Sequence, residues 1–199
     1  MSADDATTPP ATAARTSAAT DLALIGTAAA LLAVCSLVAV PVGPSGAPIT
    51  LQTFAVLLAG GILGARRGAL AVLLYLAVGF AGLPVFAEGA GGPATFAKVT
   101  IGYLIAFPIA AWVTGAVVER FARRGWVLST AVFIGAGLLG SLVIYAIGVP
   151  VLAARIGVSL AEGLVINAAF LPFDAVKLVL ASIVASSVHR AFPDLLPRR

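Results

Sequence analysis

Asn167 to Lys177 reads NAAFLPFDAVK, inside an apolar stretch that runs from about Leu160 to Val188. As a helix rising 1.5 Å per residue, such a stretch is long enough to cross a hydrocarbon core about 30 Å thick. A charge near the middle of that core costs about 3 kcal/mol on insertion scales, so Asp174 and Lys177 are rarely present there without a use. Helical spacing puts Asn167 and Asp174 on one face, with Lys177 a turn further along the same stripe. Pro172 donates no backbone hydrogen bond and leaves the carbonyl of Ala168 without its helical partner. One helical face is therefore expected to carry an acid, a base, an amide and a loosened carbonyl in an oily setting.

The bulk composition agrees with a membrane setting. Of 199 residues, 61% are hydrophobic and 10% charged, and the mean hydropathy is +1.11. Soluble domains carry about 25% charged residues. The net charge of +4 invites a nucleic-acid reading, but basic side chains gathered at cytoplasmic helix ends give the same total. Cys35 is the single cysteine, so no intrachain disulfide forms, and His189 is the single histidine. A metal site built from nitrogen and sulfur ligands is not expected.

Working outward from the opening stretch, hydropathy divides the chain into six apolar spans. Residues 1 to about 20 are polar and proline-containing and are expected to be a disordered cytoplasmic tail. Asp21 to Val40 forms the first span, with the small pair Ala29 and Ala33 spaced for close approach of another helix. Filler packing within this chain explains that pair equally well. Ile49 to Leu63 and Gly68 to Phe80 are two short segments, expected to meet at the cytoplasmic face around Arg66 and Arg67. Ala81 to Phe96 (AGLPVFAEGAGGPATF) is too apolar for a solvated loop and too broken for a helix, and is expected to fold back over the bundle. Spans four and five are Ala97 to Val118 and Trp126 to Val149, followed by an outer connection from Pro150 to Ser159. The opening stretch is span six, and a short basic tail covers 191–199. A single six-helix domain over 21–190 results.

Six spans put both termini on one side. On that side stand Arg15, Arg66, Arg67, Arg120, Arg123, Arg124, Arg190, Arg198 and Arg199, and on the other only Arg155, with Lys98 and Lys177 at or within the membrane. Basic residues collect inside, so an all-α membrane protein is expected, a bundle of six transmembrane helices with both termini cytoplasmic. The polar outliers Gln52, Lys98 and the first half of span six then converge on the external half.

Two readings of Asp174 and Lys177 stand side by side at this point. They pair with each other as a structural lock, or they recognise a small polar molecule, Asp accepting from N–H donors and Lys donating to a carbonyl or carboxylate. Catalysis is poorly served: there is no Gly-x-Ser-x-Gly and no Walker motif. An intramembrane enzyme using Asp174 and Lys177 as acid and base remains a third alternative.

The block from Pro48 to Phe86, PITLQTFAVLLAGGILGARRGALAVLLYLAVGFAGLPVF, resembles the BioY family, the biotin-binding S components of energy-coupling factor transporters. The likeness continues in GYLIAF at Gly102 to Phe107 and in LPFDAVKLVLA of span six, and is weakest in span five. It implies six helices, an external vitamin pocket under the loops, no cofactor and no ATPase of its own. Its partners are then biotin, a transmembrane T component, two ATP-binding subunits and the lipid bilayer of a bacterial plasma membrane, and not nucleic acid. An S component for another vitamin is the nearest alternative. By the same resemblance Asp174 and Lys177 become ligand contacts, with Tyr103 and Gln52 behind them, Asn167 on the shared face, and Ala29 and Ala33 raised to partner-helix contacts. The chain departs from the family's pattern at Ala90, where a polar residue is frequent, and at AKVTIG (Ala97 to Gly102), where a Gly-Pro-Thr-Gly-like turn is common. Glu88 or Lys98 is expected to supply the polar contact instead.

Overall fold

Ser17 starts the first helix: its hydroxyl accepts from the Thr20 amide at 3.2 Å, and Asp21 places a negative charge in the first turn, where the helix dipole favours it. The structure, a computed structural model, describes residues 17–41, 46–121, 126–193 and 195–196, and only the backbone of 126–129. Arg15, Arg123, Arg124, Arg198 and Arg199 lie outside the described residues. Helix α1 runs Ala18–Leu37, so residues 18–20 belong to it and not to the expected tail. Its inward face is Ala29, Leu32, Cys35 and Ser36, with Ala33 packed against the same core. Ala29 and Ala33, expected as partner-helix contacts, pack here against the core of this chain. A short antiparallel pair, β1 (Ala39–Val40) with β2 (Ile49–Thr50), follows.

Helix α2 is assigned over Gln52–Phe80, but Gly64 has φ 81° and ψ −178°, outside any helix. An uninterrupted helix would separate Gln52 and Tyr75 by about 34 Å. Their side chains are instead hydrogen-bonded, Gln52 Nε2 donating to Tyr75 Oη at 2.6 Å. The chain therefore reverses at Gly64 into two antiparallel arms, 52–63 and 65–80. The reversal falls ahead of Arg66 and Arg67, because only glycine takes a positive φ cheaply. The arms touch closely, since a Cβ on Gly68 would lie 2.8 Å from Gly60 Cα.

Helix α3 (Ile101–Phe121) packs into this hairpin, and Cβ atoms on Gly60 or Gly115 would strike the backbone of Ala111 or Ala65. Small residues give backbones this close approach in membranes. α3 begins three residues after Lys98, which sits at the end of a 3-10 turn over Pro93–Ala97 and not in the helix as expected. Helix α4 (Trp126–Ile156) continues through Pro150, where the sequence suggested a connection. A proline inside a membrane helix costs one backbone bond that neighbouring groups compensate. The stretch read as span six is divided: α5 (Leu160–Ala168) carries a Ser159–Glu162 capping box, and α6 spans Leu171–Ala191. Ala169 and Phe170 keep near-helical angles, so the interruption bends the rod without rotating its face. Pro172, in the first turn of α6, is the cause, since it cannot donate into the preceding helix.

Five helices among the described residues are long and apolar enough to cross a membrane: Ala18–Leu37, Gln52–Phe80, Ile101–Phe121, Thr130–Ile156 and Leu171–Ala191. One end of the bundle collects the start of α1, the Gly64 reversal and the ends of α3 and α6. There Arg67 pairs with Asp21 at 2.7 Å and donates to the Leu195 carbonyl at 3.0 Å. The Glu119 carboxylate accepts from the Ala65 amide at 2.9 Å, satisfying an exposed donor at the start of the second arm. His189 Nε2 donates to the Gly61 carbonyl at 2.9 Å.

Candidate functional site: a polar cavity under a folded loop

The opposite end of the bundle is hollow. A cavity of about 370 Å³ lies between the start of α2, the loop 81–100, α3, α4 and the α5–α6 bend. That is within the range of roughly 300–1,000 Å³ typical of small-molecule sites. Its apolar wall includes Phe86, Leu104, Phe107, Ile144 and Phe170. All the ligand candidates read from the sequence, Gln52, Glu88, Lys98, Tyr103, Asn167, Asp174 and Lys177, line this one space.

The bend before Pro172 creates a helix start at the cavity, and Asp174 sits in that first turn, where its charge meets the dipole favourably. Lys177 lies one turn on, and its ammonium is 2.9 Å from Asp174 Oδ1. Both side chains are about a tenth exposed. Thr53 joins them from the first arm of α2, donating to Asp174 Oδ1 at 3.0 Å and accepting from Lys177 at 3.3 Å. Tyr145 of α4 donates to Asp174 Oδ2 at 2.6 Å. An ionised carboxylate accepts about four hydrogen bonds and an ammonium donates three. Three acceptor positions on Asp174 and two protons on Lys177 are engaged. By that count one acceptor site on Asp174 Oδ2 and one N–H of Lys177 have no partner among the described residues.

A second polar group stands nearby. Tyr103 donates to the Asn167 amide oxygen at 3.0 Å, so α5 and α3 are tied across the cavity. Gly148 of α4 makes room for the Tyr103 ring, which a Cβ there would strike. Gln52 is buried, held between Thr50, which donates to its Oε1 at 3.1 Å, and Tyr75.

The loop over the cavity is anchored by aromatic side chains. Phe86 is almost fully buried, edge-on to Tyr75 and Phe80, and lies over Gly79, where no Cβ fits. Ser36 of α1 donates to the Val85 carbonyl. Further on, Phe96 stacks on Phe80, and Arg155 of α4 donates to the Phe96 carbonyl at 2.9 Å. Between these anchors Glu88 approaches Lys98 to 3.5 Å at the half-exposed rim.

Sequence reasoning did not single out Tyr145, Thr95 or Thr53 as site residues. Tyr145 is the single tyrosine of a mostly apolar helix and carries no local signal. Thr95 lies in a broken loop without a period. The one available clue for Thr53 is its place next to Gln52 at the start of a span.

The BioY family model matches residues 7–194. Biotin transporter BioY of Rhizobium etli is 38% identical over 183 residues, covering 90% of this chain and 97% of that one. Biotin transporter BioY of Rhodobacter capsulatus is 42% identical over 189 residues, covering 90% and 98%. A crystal structure of the S-component for biotin from an ECF-type ABC transporter aligns with a TM-score of 0.78 at 26% identity, over 86% of this chain and 92% of that one.

Proposed function

The chain belongs to the BioY family, and from that premise we propose that it is the biotin-binding S component of an energy-coupling factor transporter. The observation that carries this reading is the pair of unused valences on Asp174 and Lys177 at the edge of an apolar cavity. A cyclic urea presents an N–H and a C=O side by side. Its N–H donates to Asp174, its carbonyl accepts from Lys177, and the hydrocarbon chain lies on Leu104, Phe107 and Ile144. Tyr103 and Asn167 close the side of the ring, and Gln52 holds the base of the cavity through Tyr75.

In the membrane, the two arms of α2 count as separate short spans, which with α1, α3, α4 and the α5–α6 rod makes six. The helical domain runs from Ala18 to Ala191, with cytoplasmic tails on either side. Both termini face the cytoplasm, in line with Arg66, Arg67, Arg120 and Arg190 at the end opposite the cavity. The cavity then opens outward. Energy comes from a T component and ATP-binding subunits, since the chain has no nucleotide motif of its own, and release follows tilting of the bundle.

Equilibrium binding of labelled biotin to detergent-purified protein tests the reading. Tight retention of chemically unchanged biotin is the expected result. Preference for another vitamin, or turnover of the compound, overturns it.

A further inference from the structure

Thr95 is 2% exposed and lines the cavity, yet its hydroxyl has no hydrogen-bond partner among the described residues. A buried hydroxyl left unpaired is costly, so a cavity wall that keeps one has a use for it. Three residues on, Lys98 closes the same 3-10 turn, its amide donating to the Thr95 carbonyl at 3.1 Å. The Thr95 hydroxyl and the Lys98 ammonium are thus carried on one short piece of backbone that lines the cavity.

The cavity has two cations, and they differ in how firmly they are held. Lys177 is buried against Asp174 and Thr53, and separating that pair would strand a charge in a low-dielectric place. Among the described residues Lys98 has one ionic partner, Glu88 at 3.5 Å, and both side chains are close to half exposed. Such a pair contributes little to stability and is readily exchanged. Glu88 is held toward it by an unusual backbone. It is the one non-glycine residue with positive φ (62°) among the described residues, in a tight turn closed by Phe86 N–H to the Ala90 carbonyl at 2.9 Å. A left-handed conformation costs a non-glycine residue.

We propose that Thr95 and Lys98 form an acid-binding subsite at the cavity mouth, which takes the carboxylate of the ligand, and that Glu88 occupies Lys98 while the cavity is empty. This rests on the biotin reading: with the urea at Asp174 and Lys177, the acid tail of the molecule points away from them. On loading, the ligand carboxylate accepts from the Thr95 hydroxyl and replaces Glu88 on Lys98. Two donors of this kind favour a free acid over its neutral amide.

The test compares binding of biotin and of biotinamide to the full-length protein in detergent, for the wild type and for K98M, K98R, T95V and E88Q. The wild type is expected to hold the acid about tenfold tighter than the amide, a difference typical of one charge-assisted hydrogen bond. K98M abolishes that preference by weakening the acid alone, and K98R retains it. T95V weakens the acid by about threefold to tenfold, the net worth of one hydrogen bond. E88Q, which removes the competitor, tightens the acid and leaves the amide unchanged. A ratio unaltered in K98M and T95V, or an equal loss for both compounds, overturns the subsite while the biotin reading survives. Failure of the wild type to bind either compound removes the biotin reading and the subsite together.

Discussion

The two ends of the bundle both bury charge, and they use it differently. At the Gly64 end, Glu119 and Arg67 bond to backbone, at the Ala65 amide and the Leu195 carbonyl, and glycines let α2 and α3 touch. At the other end, Asp174 and Lys177 are bonded to side chains from three helices, beside about 370 Å³ of space. Buried charge alone does not mark a binding site. Buried charge with unfilled valences and an adjoining cavity does.

Four substitutions challenge that contrast. The largest effect is expected from Lys177→Met, since truncating one member of a buried hydrogen-bonded charge pair costs about 2–5 kcal/mol. Biotin affinity should fall at least about thirtyfold, with a smaller loss of folded yield. A collapse in yield, with normal binding by the surviving protein, would return the pair to a purely structural role. Gly115→Ala should do the reverse, because its Cβ collides with the Ala65 backbone. Overpacking of this kind costs about 1–3 kcal/mol, read as a lower unfolding temperature with biotin affinity unchanged. Gly148→Ala lies between the two, since it pushes on the Tyr103 ring at the cavity wall. A loss of binding by about tenfold, about 1.4 kcal/mol, is expected with little change in thermal stability. Asp21→Asn is the smallest, about 1 kcal/mol or less for an ion pair whose carboxylate is about a third exposed. Any effect of Asp21→Asn on binding would mean that the two ends are coupled.

Much of this was readable from residues alone. Polar outliers in apolar runs have few explanations, which is why Asp174, Lys177, Asn167 and Gln52 could be named from the sequence. The two short segments around Arg66 and Arg67 also follow from length, although the reversal is at Gly64, where positive φ is cheap. Prolines were harder. The sequence places a helix end at Pro150, yet the helix continues to Ile156, while Pro172 separates α5 from α6 where the sequence suggests one rod. Both have the same local chemistry, and the surrounding helices decide the outcome. Contacts such as Thr53 with Asp174, 121 residues apart, have no local signature.

The cavity's charges cancel: Asp174 against Lys177 and Glu88 against Lys98. An empty chamber of zero formal charge offers no lasting home to a stray potassium or chloride ion. It also casts only a weak field into the surrounding water, so capture of an anionic visitor gains little from long-range steering. The rate of capture should therefore change little between dilute and concentrated salt, and be governed by diffusion to the opening.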